Sequence, residues 1–148
     1  MLGQTSIHVI RALIWLAGQP SDKYVGAGAI AAAVDAPQNY LGKLLQQFCA
    51  IGLLESQRGV GGGVRLALPA DKITLLQIVD PIEHLSQRRH CFMGQLCCGP
   101  KPCAYHRQWM KLHSDYVKFL KSVTLAGLAQ ENVKLMPKGK NKSAGREK

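Results

Sequence analysis

Three cysteines and a histidine stand at regular intervals in one short run, Cys91-x5-Cys97-x5-Cys103-x2-His106. Three thiolates and an imidazole make a complete four-donor set for a soft metal or an iron–sulfur cluster. Structural zinc knuckles favour gaps of two to four residues. Gaps of five and five wrap a larger object, which favours a cluster and leaves zinc as the alternative. Cys98 adjoins Cys97 and could replace it; the even spacing favours Cys97. Bare thiols acting as a redox switch are a third option. Gly94, Gly99, Pro100 and Pro102 shape the loop without bulk. Cys49 ends an apolar helix face and reads as a buried hydrophobe.

A donor set needs elements to carry it, and the segment that follows is a long helix. From about Ala104, residues Tyr105, Trp109, Leu112, Tyr116, Phe119 and Val123 recur at alternating steps of four and three. That is an a/d seam, and it asks for a partner, most simply the same helix of a second subunit in a twofold dimer. His106, three residues after Cys103 at the start of this helix, can face the same object. Thr124 reads as the cap of a last short helix, Leu125–Gln130.

The preceding half has a different order. Ile7, Ile10, Leu13, Ile14 and Ala17 give an amphipathic helix over 6–18. An Ala-rich stretch over 27–34 forms a second helix, with Ile30 and Val34 on one face. Asp35-Ala-Pro-Gln reads as the start of a third helix, with Asp35 as its cap, running to about Cys49. Tyr40, Leu41, Leu44, Leu45 and Phe48 should lie mostly inward. Leu53–Gln57 and Val64–Leu68 then flank a glycine-rich tip and form a β-hairpin. Arg58 and Arg65 flank that tip. No Gly-Lys-Ser/Thr closes the run and no helix follows it, so it is neither a phosphate loop nor a Rossmann fingerprint. Thr74 caps a further short helix through Leu75, Ile78 and Val79, limited or kinked by Pro81.

Three helices and a basic hairpin are the order of a winged helix. The fold class expected is mostly α with a small β-hairpin: a winged helix-turn-helix plus a long C-terminal dimerisation helix. The divisions are 1–84 winged helix, 85–103 cysteine loop, 104–132 dimerisation helix and short terminal helix, and 133–148 a basic tail. Gln38, Asn39, Tyr40 and Lys43 would present polar groups to base edges, and Arg58 suits a narrow minor groove. With Arg65 they make the expected contact set for double-stranded DNA.

The charge agrees. The chain of 148 residues has a formal net charge of +10. Residues 134–148 hold six Lys/Arg and one Glu, and the rest thirteen basic and eight acidic side chains. A surplus in both parts favours a polyanionic partner. The expected compartment is cytoplasmic, with no membrane span and no secretory signal. No nucleophile–base–acid set for hydrolysis is evident, so no enzymatic activity is expected. The rival class is an electron carrier or cluster-transfer protein, which has no use for a wing.

The chain resembles the IscR/NsrR-type winged-helix transcription regulators, which use an iron–sulfur cluster to control DNA binding. The likeness covers most of residues 5–130. It is carried by Ile7–Ala17, Tyr40-Leu41, Arg58-Gly-Val-Gly-Gly-Gly-Val-Arg-Leu, Ile73-Thr-Leu-Leu-Gln-Ile-Val, the cysteine loop and Phe119-Leu-Lys-Ser-Val-Thr-Leu-Ala-Gly-Leu. The cysteine loop is most similar to the IscR type. That resemblance implies a [2Fe–2S] cluster on Cys91, Cys97, Cys103 and His106, with [4Fe–4S] as the alternative. It also implies DNA contacts from Gln38 to Lys43 and at Arg58, and a dimer formed by the long helix from about Ala104 to Val123, where the seam places Trp109, Leu112, Tyr116, Phe119 and Val123 at the interface. Four departures stand out: Gly42 replaces an acidic residue of the IscR type, Cys98 is an extra thiol, Pro81 interrupts a normally regular helix, and Ser6-Ile7-His8 lacks the N-terminal carboxylate of some nitric-oxide sensors.

Overall fold

The computed structural model describes residues 2–87 and 103–131. Six helices and one hairpin lie within them: α1 (Gln4–Ala17), α2 (Ala27–Val34), α3 (Gln38–Ala50), β1 (Leu54–Gln57), β2 (Gly63–Leu66), α4 (Leu75–Glu83), α5 (Ala104–Ser122) and α6 (Leu125–Gln130). A single 3₁₀ turn, Ala70–Lys72, joins the hairpin to α4.

The periodic apolar positions become the core. Val9, Ala12, Leu13 and Leu16 from α1 meet Ile30 and Val34 from α2, and Leu41, Leu45 and Phe48 from α3. Leu53, Leu54 and Val64 close the cluster from the hairpin, Ile73 and Ile78 from around α4, and Leu125 from α6. Burying a side chain of this size stabilises the fold by about 1.5–3 kcal/mol. A second cluster, Leu75, Leu76, Val79 and Leu120, joins α4 to α5, with Tyr116 and Val123 packed on it.

The hairpin is antiparallel, with Leu54 opposite Leu66 and Gln57 opposite Gly63. It is not isolated. Val25, just before α2, makes an antiparallel bridge to Val64, with paired backbone hydrogen bonds of 2.9 Å. Gly63 (φ +150°) makes this close approach possible, since a Cβ there would collide with the Val25 carbonyl.

The helix ends follow local chemistry, with one correction. Thr74 caps α4 through a full capping box: its Oγ1 accepts from the Gln77 N–H at 3.3 Å, and Gln77 Oε1 accepts from the Thr74 N–H at 2.8 Å. Pro81 lies inside α4, which stops two residues later at Glu83, with His84 left-handed (φ 53°). Thr124 caps α6 by accepting from the Gly127 N–H at 3.2 Å. Asp35, however, does not start α3. It ends α2 in the left-handed conformation (φ 53°), which Asp tolerates, and Pro37 is the N-cap of α3.

The seam on α5 is divided. Tyr105, Leu112 and Phe119 are exposed, at 79%, 63% and 56%. Trp109 is half-buried, and Tyr116 leans on α4. Val123 lies past the helix end in extended backbone, where its carbonyl accepts from the Leu75 N–H at 2.8 Å. The alternation of four and three therefore continues one residue beyond the helix. No helix among the described residues is long and apolar enough to cross a membrane.

Candidate nucleic-acid interface and cluster ligands

The third helix shows one polar face. Leu41, Leu44, Leu45 and Phe48 fill the core and leave Gln38, Asn39, Tyr40 and Lys43 exposed over its first turns. Tyr40 was expected to lean inward; instead it is 38% exposed, because its hydroxyl reaches sideways to donate to Thr5 Oγ1 of α1 at 2.6 Å. His8 of α1 sets its ring edge-on to Tyr40, with centroids 6.1 Å apart. The Gln38 amide lies over Gly28 of α2, where an added Cβ would meet Nε2 at 3.2 Å. This leaves Asn39 and Lys43 as the outward polar groups of the first turns.

The two wing arginines differ. Arg58 is exposed beside the turn closed by the Gly62 N–H to the Gly59 carbonyl at 3.0 Å. Arg65 lies on β2, directly across from Glu55. Its Nε and Nη2 donate to Glu55 Oε2 at 3.0 and 2.9 Å, and its guanidinium stacks 4.7 Å from the centre of the Tyr24 ring. The Glu55 hydrogen bond holds Arg65 more firmly protonated than usual. The sequence reading missed Tyr24 as the platform beneath this arginine; an aromatic next to a valine that bridges β2 was the available signal.

Cys103 is the N-cap of α5, and its Sγ accepts from the His106 N–H at 3.4 Å. The Cys103 side chain is exposed and His106 is buried. The donor types fit a soft site: one thiol at a helix N-terminus, where backbone N–H groups favour negative charge, and one imidazole three residues on. Among the described residues no three His, Cys, Asp or Glu side chains gather as a metal site. Cys91, Cys97 and Cys98 lie outside the described residues, as do the loop glycines and prolines and the tail 133–148.

A three-helix core, a third helix with a polar outer face and a two-stranded wing define the class of winged-helix DNA-binding regulators. The Rrf2 family model, described as an iron-dependent transcriptional regulator, matches residues 2–131. The chain belongs to the Rrf2 family of transcriptional regulators. It is 31% identical over 122 residues to a Neisseria meningitidis serogroup A protein named as an HTH-type transcriptional regulator, NMA1593, with 82% of each chain covered. Two solved structures share the fold. One is CymR, the global cysteine regulator of B. subtilis, with TM-score 0.74, 23% identity, and 88% of this chain and 97% of that one covered. The other is IscR of T. potens, with TM-score 0.72, 23% identity, and 88% and 87% covered.

Proposed function

We propose that this regulator is a homodimer whose affinity for double-stranded DNA is set by an iron–sulfur cluster, [2Fe–2S] in the first instance. Cys91, Cys97, Cys103 and His106 would hold the cluster. When bound, it supplies a centre that responds to redox state, nitric oxide or iron–sulfur supply. Cys103 and His106 tie that response to the N-terminus of α5, which packs through Leu120 and Tyr116 onto α4. α4 in turn packs on α1.

The DNA-facing set is Gln38, Asn39, Tyr40 and Lys43 of α3 with Arg58 of the wing; Asn39 and Lys43 would reach the duplex, and Gln38 and Tyr40, engaged with α2 and α1, shape the turn that presents them. Arg65, paired with Glu55, braces the hairpin that carries Arg58. The exposed residues of α5, Leu112 and Phe119 above all, would meet their copies across the twofold axis. Trp109, Tyr116 and Val123 would back that face. Two recognition helices would then enter successive major grooves of a pseudo-palindromic operator about one helical turn apart.

The observation that carries this reading is the coexistence, in one Rrf2-family chain, of a polar recognition face and a Cys103–His106 pair at a helix N-terminus. Two variants test its halves. Cys103→Ala is expected to lose iron and sulfide; wild-type stoichiometry in that variant removes the ligand set. Arg58→Ala is expected to weaken DNA binding, and unchanged affinity over a salt series removes the wing.

The exposure of Cys103 favours one second reading, a regulator switched by bare thiols or by zinc. Stoichiometric zinc, or wild-type regulation without metal, would select it.

A further inference from the structure

The first turn of α1 is held from two sides. On one side stands Glu83, the last residue of α4. Its Oε1 accepts from the Gly3 N–H at 2.8 Å and from the Ser6 hydroxyl at 2.7 Å. Ser6 is fully buried, so this acceptor satisfies a hydroxyl that would otherwise be costly to leave unpaired. On the other side stands Tyr40, on the first turn of the recognition helix, donating to Thr5 Oγ1. Thr5 lies between the two residues that Glu83 grips. Three helices thus meet through side-chain hydrogen bonds at the start of α1, and one of them carries the recognition face.

A tyrosine hydroxyl has a single proton to donate. While that proton goes to Thr5, it is not available to a phosphate. The hydrogen bond also fixes where the Tyr40 ring stands, and with it the first turn of α3 that holds Asn39 and Lys43. We propose that Thr5 is a positioning residue for DNA recognition: it sets Tyr40, and Glu83 holds Thr5 in place, so the α4–α5 side of the molecule reaches the recognition helix through the first turn of α1. This deepens the proposed function and rests on α3 being the helix that enters DNA.

The experiment is a double-mutant cycle read as DNA affinity by fluorescence anisotropy. The probe is a labelled duplex recovered by repeated selection on the wild-type protein. The variants are Thr5→Val, which keeps the shape and removes the hydroxyl, Tyr40→Phe, the double variant, and Thr5→Ser. A single neutral hydrogen bond corresponds to a change of roughly three- to tenfold. Thr5→Val and Tyr40→Phe should each weaken binding by that factor. The double variant should be no weaker than either single, and Thr5→Ser should bind like wild type.

Wild-type affinity in Thr5→Val with a loss in Tyr40→Phe would overturn the inference, because the hydroxyl would then contact DNA itself. Additive losses, or failure of Thr5→Ser to restore binding, would overturn it as well. Glu83→Ala should weaken binding without adding to Thr5→Val. Should that variant not fold, Glu83→Gln, which keeps an acceptor oxygen, should retain wild-type affinity, and a loss would count against the role given to Glu83. If the wild-type protein selects no duplex and binds random DNA no better at low salt than at high salt, the reading of α3 fails first, and the inference falls with it.

Discussion

Cys103 and Cys49 show how position decides what a thiol can do. Cys103 caps a helix with its sulfur exposed and accepts a backbone N–H from His106. Cys49 sits near the end of α3, half-buried; burial pushes its thiol up from the ordinary value, and a hydrogen bond with Ser56 opposes this in part. Of the two, Cys103 is the thiol placed to bind a partner group, and Cys49 packs within the fold. Burial also raises the Tyr116 hydroxyl, with a smaller push from the Glu83 carboxylate. Both groups hold their protons more tightly folded than unfolded. The folded state then binds more protons once pH passes the ordinary values, 9.0 for the thiol and 10.0 for the phenol. Stability is fully present below that window and falls as pH rises through it. Urea midpoints at pH 7 and pH 10 check this: the midpoint should drop at pH 10, and a flat profile would contradict it.

At the scale of elements, the capping box and the wing make separate predictions. Thr74→Ala removes the acceptor of the Gln77 N–H and should cost about 0.5–2 kcal/mol, read from denaturant midpoints. Gly63→Ala drives a methyl into the Val25 carbonyl at a backbone angle that side chains rarely adopt. It should detach the wing from the α2 side and weaken DNA binding more than it lowers global stability. Equal losses in both would mean that the hairpin is part of one cooperative core.

These elements also show what was legible. The helices, the hairpin and the Thr74 and Thr124 caps rest on patterns a few residues long, and these were readable in the chain. The Asp35 cap was misplaced because the same short residue suits a helix start and a left-handed helix end. Ser6 to Glu83 and Thr5 to Tyr40 span 77 and 35 residues. Such pairs follow from packing, which no local pattern encodes. Cys103 and His106 stand out as candidate donors from type and spacing, whereas Tyr24 beneath Arg65 does not stand out from either.

For the whole molecule, the stripe of α5 is a large apolar face left exposed among the described residues. Tyr105, Leu112 and Phe119 lie seven residues apart on one helix face, while Leu120 and Tyr116 already pack on α4. If α5 pairs with its copy as proposed, Phe119→Glu should convert that dimer to a monomer in sedimentation equilibrium while leaving helix content intact. It should also lower operator affinity, since two half-sites would no longer be held together. A dimer of unchanged strength would move the interface elsewhere.

The central claim is that cluster and DNA affinity are coupled. The direct measurement takes protein purified without oxygen, assays its iron and sulfide, and titrates it against duplex DNA before and after the cluster is removed. Near-equal iron and sulfide are expected, with a change in DNA affinity of roughly 5- to 150-fold on removal, the range for two linked sites. Equal affinity in both states, or a protein that holds no iron even after reconstitution, would contradict it.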